Sequence, residues 1–345
     1  MMIGRRTFLG ATLALPFAGM ARAALPAAAA LTPELIAAAK AEGKIAWYTA
    51  DDLVLATAVA KAFEAAYGMT VQLERSGAER IYQRISQEFS SDVFAADVMT
   101  TSDVGHLVTW KKSGWIVPYM PAVATKWDAH ALEADGFFVV DKFTLVVSGY
   151  NSRLVKAEEA PKAWADLLDP KWKGKMVKGH PGYSGAITNA TFALSRALGW
   201  EFFEKLAKQG VMQVQSATDP PQRVAQGERA VMADAAEVTT LRLIGNGAPL
   251  APIYPTEGVP VVPVGSAVMA KAAHPNAARL FMQFLCSAEC QKINLANGSR
   301  TFSPEVTEPA NWTPLAKMKL LHNDAEALAR EAADVKKRYS QIFGV

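Results

Sequence analysis

Short β-rich apolar runs alternate along this chain with stretches whose apolar residues recur every three or four positions, the pattern of an α/β protein. Residues 44–48 read as a strand, 53–67 as an amphipathic helix, 70–74 as a second strand, 81–90 as a helix and 96–99 as a third strand. Further on, 187–198 reads as a helix and 230–232 as a short strand. Two β-rich runs stand apart at 144–150 and 259–269, the second interrupted by Pro260 and Pro263. A helix follows over 275–286, and a charged helical tail is expected after Thr313. No internal repeat is visible; the Ala-rich stretch 27–30 reads as a flexible start to the mature chain.

The first 23 residues are read as a targeting segment rather than fold. Gly4-Arg5-Arg6-Thr7-Phe8-Leu9 precedes an apolar run and Ala21-Arg22-Ala23, the pattern of a twin-arginine signal peptide with its cleavage site. No cysteine lies near Ala23, so the expected product is periplasmic without a lipid anchor, and no later apolar run reaches the ~18 residues that suggest a membrane span. Removing that segment changes the charge picture. Thirty-six basic residues less its three arginines leave 33, against 33 acidic ones. A balanced mature chain gives no whole-molecule argument for nucleic acid or an anionic membrane. Half the residues are apolar, enough for two cores, and two domains are expected. Cys286 and Cys290 lie four apart. On one continuous helix their β-carbons are about 6 Å apart, too far for a disulfide. Two buried thiols are expected, with a disulfide open if Ser287 caps a new helix there.

The stretch from Tyr150 to Met176, YNSRLVKAEEAPKAWADLLDPKWKGKM, carries the most specific signal. It reads as a strand end, a loop and a short helix that Pro161 starts and Pro170 stops, with Trp164, Leu167 and Leu168 on one face. It resembles bacterial extracellular solute-binding proteins of the family that includes ferric-iron, thiamine, sugar-phosphate and phosphonate receptors. The resemblance implies a type II periplasmic-binding-protein fold, α/β, with two mixed sheets flanked by helices and a ligand cleft between two lobes. It also implies residues 24–143 and 265–303 in lobe 1, 149–258 and 304–345 in lobe 2, and 144–148 and 259–264 as crossing strands at the hinge. The tail would pack on lobe 2. A monomer delivering a small molecule to the permease of an ATP-driven (ABC) importer is the implied partner scheme.

Ligands of open α/β sheets sit beyond the carboxyl ends of strands, so the loops there supply the candidates. After the first strand come Tyr48, Thr49 and Asp51. One of Asp51 and Asp52 is expected to cap the next helix, the other to face the cleft. Ser76, Gly77 and Ala78 open a helix whose free amides and partial positive charge suit an anion, with Arg75 or Arg80 adding charge. Thr101 and Ser102 follow the third strand. In the second lobe, His180-Pro181-Gly182-Tyr183-Ser184-Gly185-Ala186 resembles the family's ligand loop and offers Tyr183, Ser184 and Gly185. Asp234, Glu237, Tyr254 and Glu257 complete the set. Glu257 is open to two roles, orienting a ligand or pairing with an arginine between the lobes.

Iron-binding members carry an adjacent tyrosine pair where this chain has Ala235 and Ala236, which argues against ferric iron although oxygen ligands are present; a ferric-iron receptor is the alternative within the family. Gly182-Tyr183-Ser184-Gly185-Ala186 approaches a nucleophile elbow, so a serine hydrolase using Ser184 is the alternative from another class. There is no H-E-x-x-H, Walker loop, C-x-x-C or dinucleotide fingerprint. The expectation is a binding protein without catalytic residues, cofactor or resident metal, taking a small organic anion: a phosphorylated or phosphonate compound, a carboxylate or a polyol acid.

Overall fold

The computed structural model describes residues 27–345; the targeting segment expected over 1–23 lies outside them. Eleven strands are present among the described residues: β1 Lys44–Thr49, β2 Thr70–Arg75, β3 Val98–Thr101, β4 Ile116–Val117, β5 Val139–Asn151, β6 Met176–Gly179, β7 Met212–Val214, β8 Val231–Ala236, β9 Leu250–Ile253, β10 Val259–Met269 and β11 Leu320–Leu321. Hydrogen bonding runs in the order β2-β1-β3-β10-β5-β8-β6-β7, with β4 and β11 on β10 and β9 on β5. β1 pairs parallel with β2 and β3, and β6 with β7 and β8, whereas the long β5 and β10 pair antiparallel with each other and with their other neighbours β8, β9, β3 and β4. The two expected β-rich runs are these two long strands, and they join the halves.

Local chemistry explains how two strands serve two sheets. In β5, all but one of its 13 residues are buried, so it takes partners on both edges. Its pairing with β10 slips at Val264/Gly265, and its pairing with β8 slips at Val147/Gly149. At each slip a glycine meets a close neighbour, a side-chain tip at Gly265 and backbone at Gly149. A β-carbon on Gly265 would come within 2.6 Å of Leu107 Cδ1, and one on Gly149 within 2.8 Å of the Ala251 carbonyl oxygen.

Each half has an apolar core. In the first, Trp47, Phe63, Phe281 and Phe284 pack edge-to-face or tilted between β1 and the helices Leu53–Tyr67 and Pro275–Leu285. In the second, Trp164, Leu167, Trp172, Phe202 and Phe203 gather beside β6 and β8. The helix Leu53–Tyr67 has the predicted bounds because Asp52 caps its first turn and Gly68, at φ 68°, closes it in the left-handed region.

Three expectations change and one, the pair of buried thiols, is met. The segment before Pro170 forms a 3₁₀ turn, Ala165–Leu168, followed by another at Pro170–Trp172, rather than a helix begun at Pro161. Residue 29 is tied down: its amide donates to the Met120 carbonyl at 2.8 Å, and its own carbonyl accepts from Ala122 N–H and Gln283 Nε2. The tail helix Ala325–Phe343 bridges both halves, with Leu328 and Val335 in a cluster with Trp110 and Tyr339 in one with Phe203. The helix does break at Cys286, where Ser287 caps the helix Ala288–Ala296, yet both cysteines are free thiols, fully buried.

Candidate functional site

The carboxyl ends of β2, β3, β6 and β7 converge where the two halves meet. Gly77 and Ala78 begin the helix Ala78–Ser90, and Ser184 caps the helix Gly185–Leu198, so two helix N-termini approach each other. Glycine makes this possible. A β-carbon on Gly185 would sit 2.8 Å from Asp103 Cβ and 2.9 Å from Ala78 Cβ; one on Gly77 would sit 2.8 Å from the Tyr183 carbonyl oxygen. Between them lies a cavity of about 90 Å³. Its walls include six of the residues expected from sequence, Gly77, Ala78, Ser102, Tyr183, Ser184 and Gly185, together with Ala50, Arg75, Arg80, Gln215 and Ser216.

Gly77 caps its helix without a side-chain hydrogen bond, leaving the first-turn amides unengaged by any cap side chain. Ser184 Oγ accepts from Ile187 N–H only at 3.4 Å. The two arginines are held by neutral partners. Arg75 Nε donates to the Asp51 carbonyl at 2.9 Å and Arg80 Nη2 to Gln215 Oε1 at 3.1 Å. No carboxylate lines the cavity. Two guanidinium groups and two helix N-termini give its wall a positive character. Arg75 also lines a wider groove of about 740 Å³, bordered by Asp52, Thr218, Asp219, Gln222 and Arg242.

The halves are drawn together around this cavity. Arg242 Nη2 pairs with Asp52 at 2.7 Å, Thr239 Oγ1 donates to the same carboxylate at 3.4 Å, and Asn189 Nδ2 donates to the Ser102 carbonyl at 3.1 Å. Asp52 is thus both the cap and an inter-half tether.

The remaining expected residues lie elsewhere and are already engaged. Asp51, expected to reach the cleft if Asp52 took the cap, is buried 3.0 Å from Lys142 Nζ, which also pairs with Asp141 at 2.8 Å. Burial lowers the pKa of the Lys142 ammonium, but the two carboxylates outweigh it and raise the value. Asp234 pairs with buried Lys178 at 2.9 Å and accepts from Gly179 N–H at 2.8 Å. Glu237 accepts two bonds from Arg300, at 2.8 and 2.9 Å, and a third from Tyr254 Oη at 2.7 Å; burial and this carboxylate hold the Tyr254 phenol protonated. Glu257 accepts from the amides of Trp164 and Ala165, so it caps the 3₁₀ turn of the 150–176 segment instead of pairing with an arginine. Thr49 Oγ1 and Thr101 Oγ1 accept from the amides of Asp51 and Asp103. Tyr48 donates to Glu88, and burial first, then that carboxylate, pushes its pKa up to about 12. Ser76 continues the strand through its amide on the Thr49 carbonyl.

Ala235 and Ala236 are buried in β8, and the Tyr254 phenol donates to Glu237. The loop histidine, His180, accepts from Gly182 N–H through Nδ1; burial, then Lys178, lowers its pKa. Gln215 and Ser216, absent from the sequence reading, follow β7; the strand-end rule identifies them once residues 212–214 are recognised as a strand.

Comparison with known proteins places this geometry. The family model for bacterial extracellular solute-binding proteins matches residues 48–300. A probable ABC transporter periplasmic-binding protein, y4fP of Sinorhizobium fredii, is 25% identical over 279 residues, 76% of each chain. Among solved structures, the periplasmic binding protein AfuA of Actinobacillus pleuropneumoniae, with fructose-6-phosphate bound, superposes at a TM-score of 0.81 with 21% identity, covering 88% of this chain and 99% of that one. Iron-bound HitA of Pseudomonas aeruginosa superposes at 0.74, also with 21% identity, over 86% and 99%. These likenesses establish the type II periplasmic-binding-protein fold.

Proposed function

Because the chain belongs to the bacterial extracellular solute-binding protein family, whose members are receptors and not enzymes, we propose that it captures a small organic anion, a phosphorylated or phosphonate compound before a carboxylate, and delivers it to an ABC permease. The observation that carries this reading is the cavity wall: Arg75, Arg80 and two helix N-termini, with no carboxylate. An anionic head group fits there, and Arg75 connects it to the wider groove, where the organic part of the ligand has room. AfuA, with its bound sugar phosphate, is a fold neighbour in keeping with this choice. A zwitterion or ferric ion needs acidic or phenolate ligands, and Asp51, Asp234, Glu237 and Tyr254 are committed to other partners.

The same reading divides the chain at β5 and β10. Residues 144–148 and 259–264 form the hinge, 24–143 and 265–303 the first lobe, and 149–258 and 304–345 the second, with the tail helix spanning them. Closure about the hinge brings Gly185 onto Ala78, and ligand stabilises the closed form by mass action. The protein acts as a monomer in the periplasm, exported through its twin-arginine segment.

Thermal shift against a hexose phosphate, an alkylphosphonate, a dicarboxylate, a polyol and ferric citrate tests this. A phosphate or phosphonate at a hundred times its Kd adds about 2.7 kcal/mol and raises Tm by several degrees. A rise with ferric citrate or the polyol alone overturns the anion assignment.

A further inference from the structure

Behind the anion cavity, the first turn of the helix Ala78–Ser90 faces the helix Val104–Lys112, and three potential ligands meet there: Glu79, Asp103 and His106. One ligand atom from each lies within 4.8 Å of the others, and all three residues are buried. The distances are not those of hydrogen bonds. His106 Nε2 is 3.5 Å from Glu79 Oε1 and 3.6 Å from Asp103 Oδ2. They match instead the edge of a coordination tetrahedron, since bonds of about 2.0–2.1 Å to a central Zn²⁺ place its ligands roughly 3.4 Å apart.

Further observations point the same way. Asp103 is 1% exposed; its Oδ1 caps Gly105 N–H at 2.9 Å, while Oδ2, the atom facing His106, has no hydrogen-bond partner among the described residues. Such a buried oxygen costs free energy unless a cation or water meets it. The imidazole is held in place by stacking on Tyr82, centroids 4.4 Å apart at 23°. A cavity of about 190 Å³ opens beside the cluster, with room for a solvent ligand in a fourth position. The positive charge in place is Lys336 of the tail helix, whose ammonium lies on Glu79 Oε1, the same oxygen that faces His106. Two carboxylates thus stand beside one imidazole and one ammonium.

We propose that Glu79, Asp103 and His106 form a binding site for a first-row divalent cation, through Glu79 Oε1, Asp103 Oδ2 and His106 Nε2, with Lys336 displaced on binding. The nitrogen and oxygen donor set selects zinc over calcium or magnesium. The site is separate from the anion cavity and does not depend on its ligand.

Calorimetric titration of the chelator-treated protein with Zn²⁺ tests the assignment. The wild type takes up one zinc saturably. Glu79→Gln and His106→Gln each weaken binding more than tenfold, whereas Lys336→Met, which removes the competing ammonium, strengthens it. His130→Ala, which disrupts the stacked His130–His322 pair elsewhere on the surface, leaves it unchanged. Absence of a saturable site in the wild type, undiminished affinity in His106→Gln, or loss of binding in His130→Ala overturns the proposal.

Discussion

Charged residues occupy two kinds of place in this molecule, and the contrast separates structure from function. Lys142 with Asp51 and Asp141, Lys178 with Asp234, and Arg300 with Glu237 are buried and paired with one another. Arg75 and Arg80, by contrast, reach the inter-half cavity and touch only neutral groups. A buried charge must be paired to be tolerated, so the first set has no capacity left for a ligand. The second set keeps its capacity because it is partly solvated. Proximity to a strand end therefore does not distinguish them; the partner does.

The largest effect expected from breaking this contrast is on stability. Lys178→Met strands Asp234 in the interior and costs about 3–5 kcal/mol, seen as a lower denaturant midpoint. Arg80→Met, at an exposed position, changes stability by less than about 0.5 kcal/mol. Equal losses in the two variants would erase the distinction.

Binding shows the reverse order. Arg75→Gln and Arg80→Gln each remove a charge-assisted bond worth about 1.5–3 kcal/mol and lower affinity for the organic anion roughly tenfold to a hundredfold by calorimetry. Undiminished affinity in both would move the anion elsewhere. Ser184→Ala sharpens the picture further. It loses a long N-cap bond, costing about 1 kcal/mol or less of stability, while binding is expected to persist on the proposal that backbone amides supply the contacts. A loss of binding equal to that of the arginine variants would make the hydroxyl a direct ligand contact.

The smallest effect is pH dependence. Burial holds the pKa of His180 and His322 below the usual 6.5, so the folded state favours neutral imidazoles. Their contribution is complete above 6.5 and is lost as pH falls through the lower folded values. Tm is expected to decline from pH 7.5 to 5, and His180→Asn to flatten that decline. An unchanged slope would remove His180 from the account.

Much of the architecture was legible in one dimension. The helix Leu53–Tyr67 and the strand Val259–Met269 have their predicted bounds because Asp52 and Gly68 punctuate the first and β-rich apolar composition marks the second. The 150–176 segment also led to the correct family. Its local shape was less legible: its turn depends on Glu257, nearly a hundred residues later, accepting the amides of Trp164 and Ala165. The strand-end rule and the family resemblance together supplied six cavity residues but did not reveal that Asp234 and Glu237 were already paired.

The sequence by itself determined the alternation of strands and helices, the family and six of the residues that line the inter-half cavity, because these follow from periodicity, capping and local motifs. Only the tertiary structure decided which charged groups remain available, since that depends on partners distant along the chain: Lys142 for Asp51, Arg300 for Glu237, Lys336 for Glu79. Electrostatic compensation acts through space, and no local pattern records it.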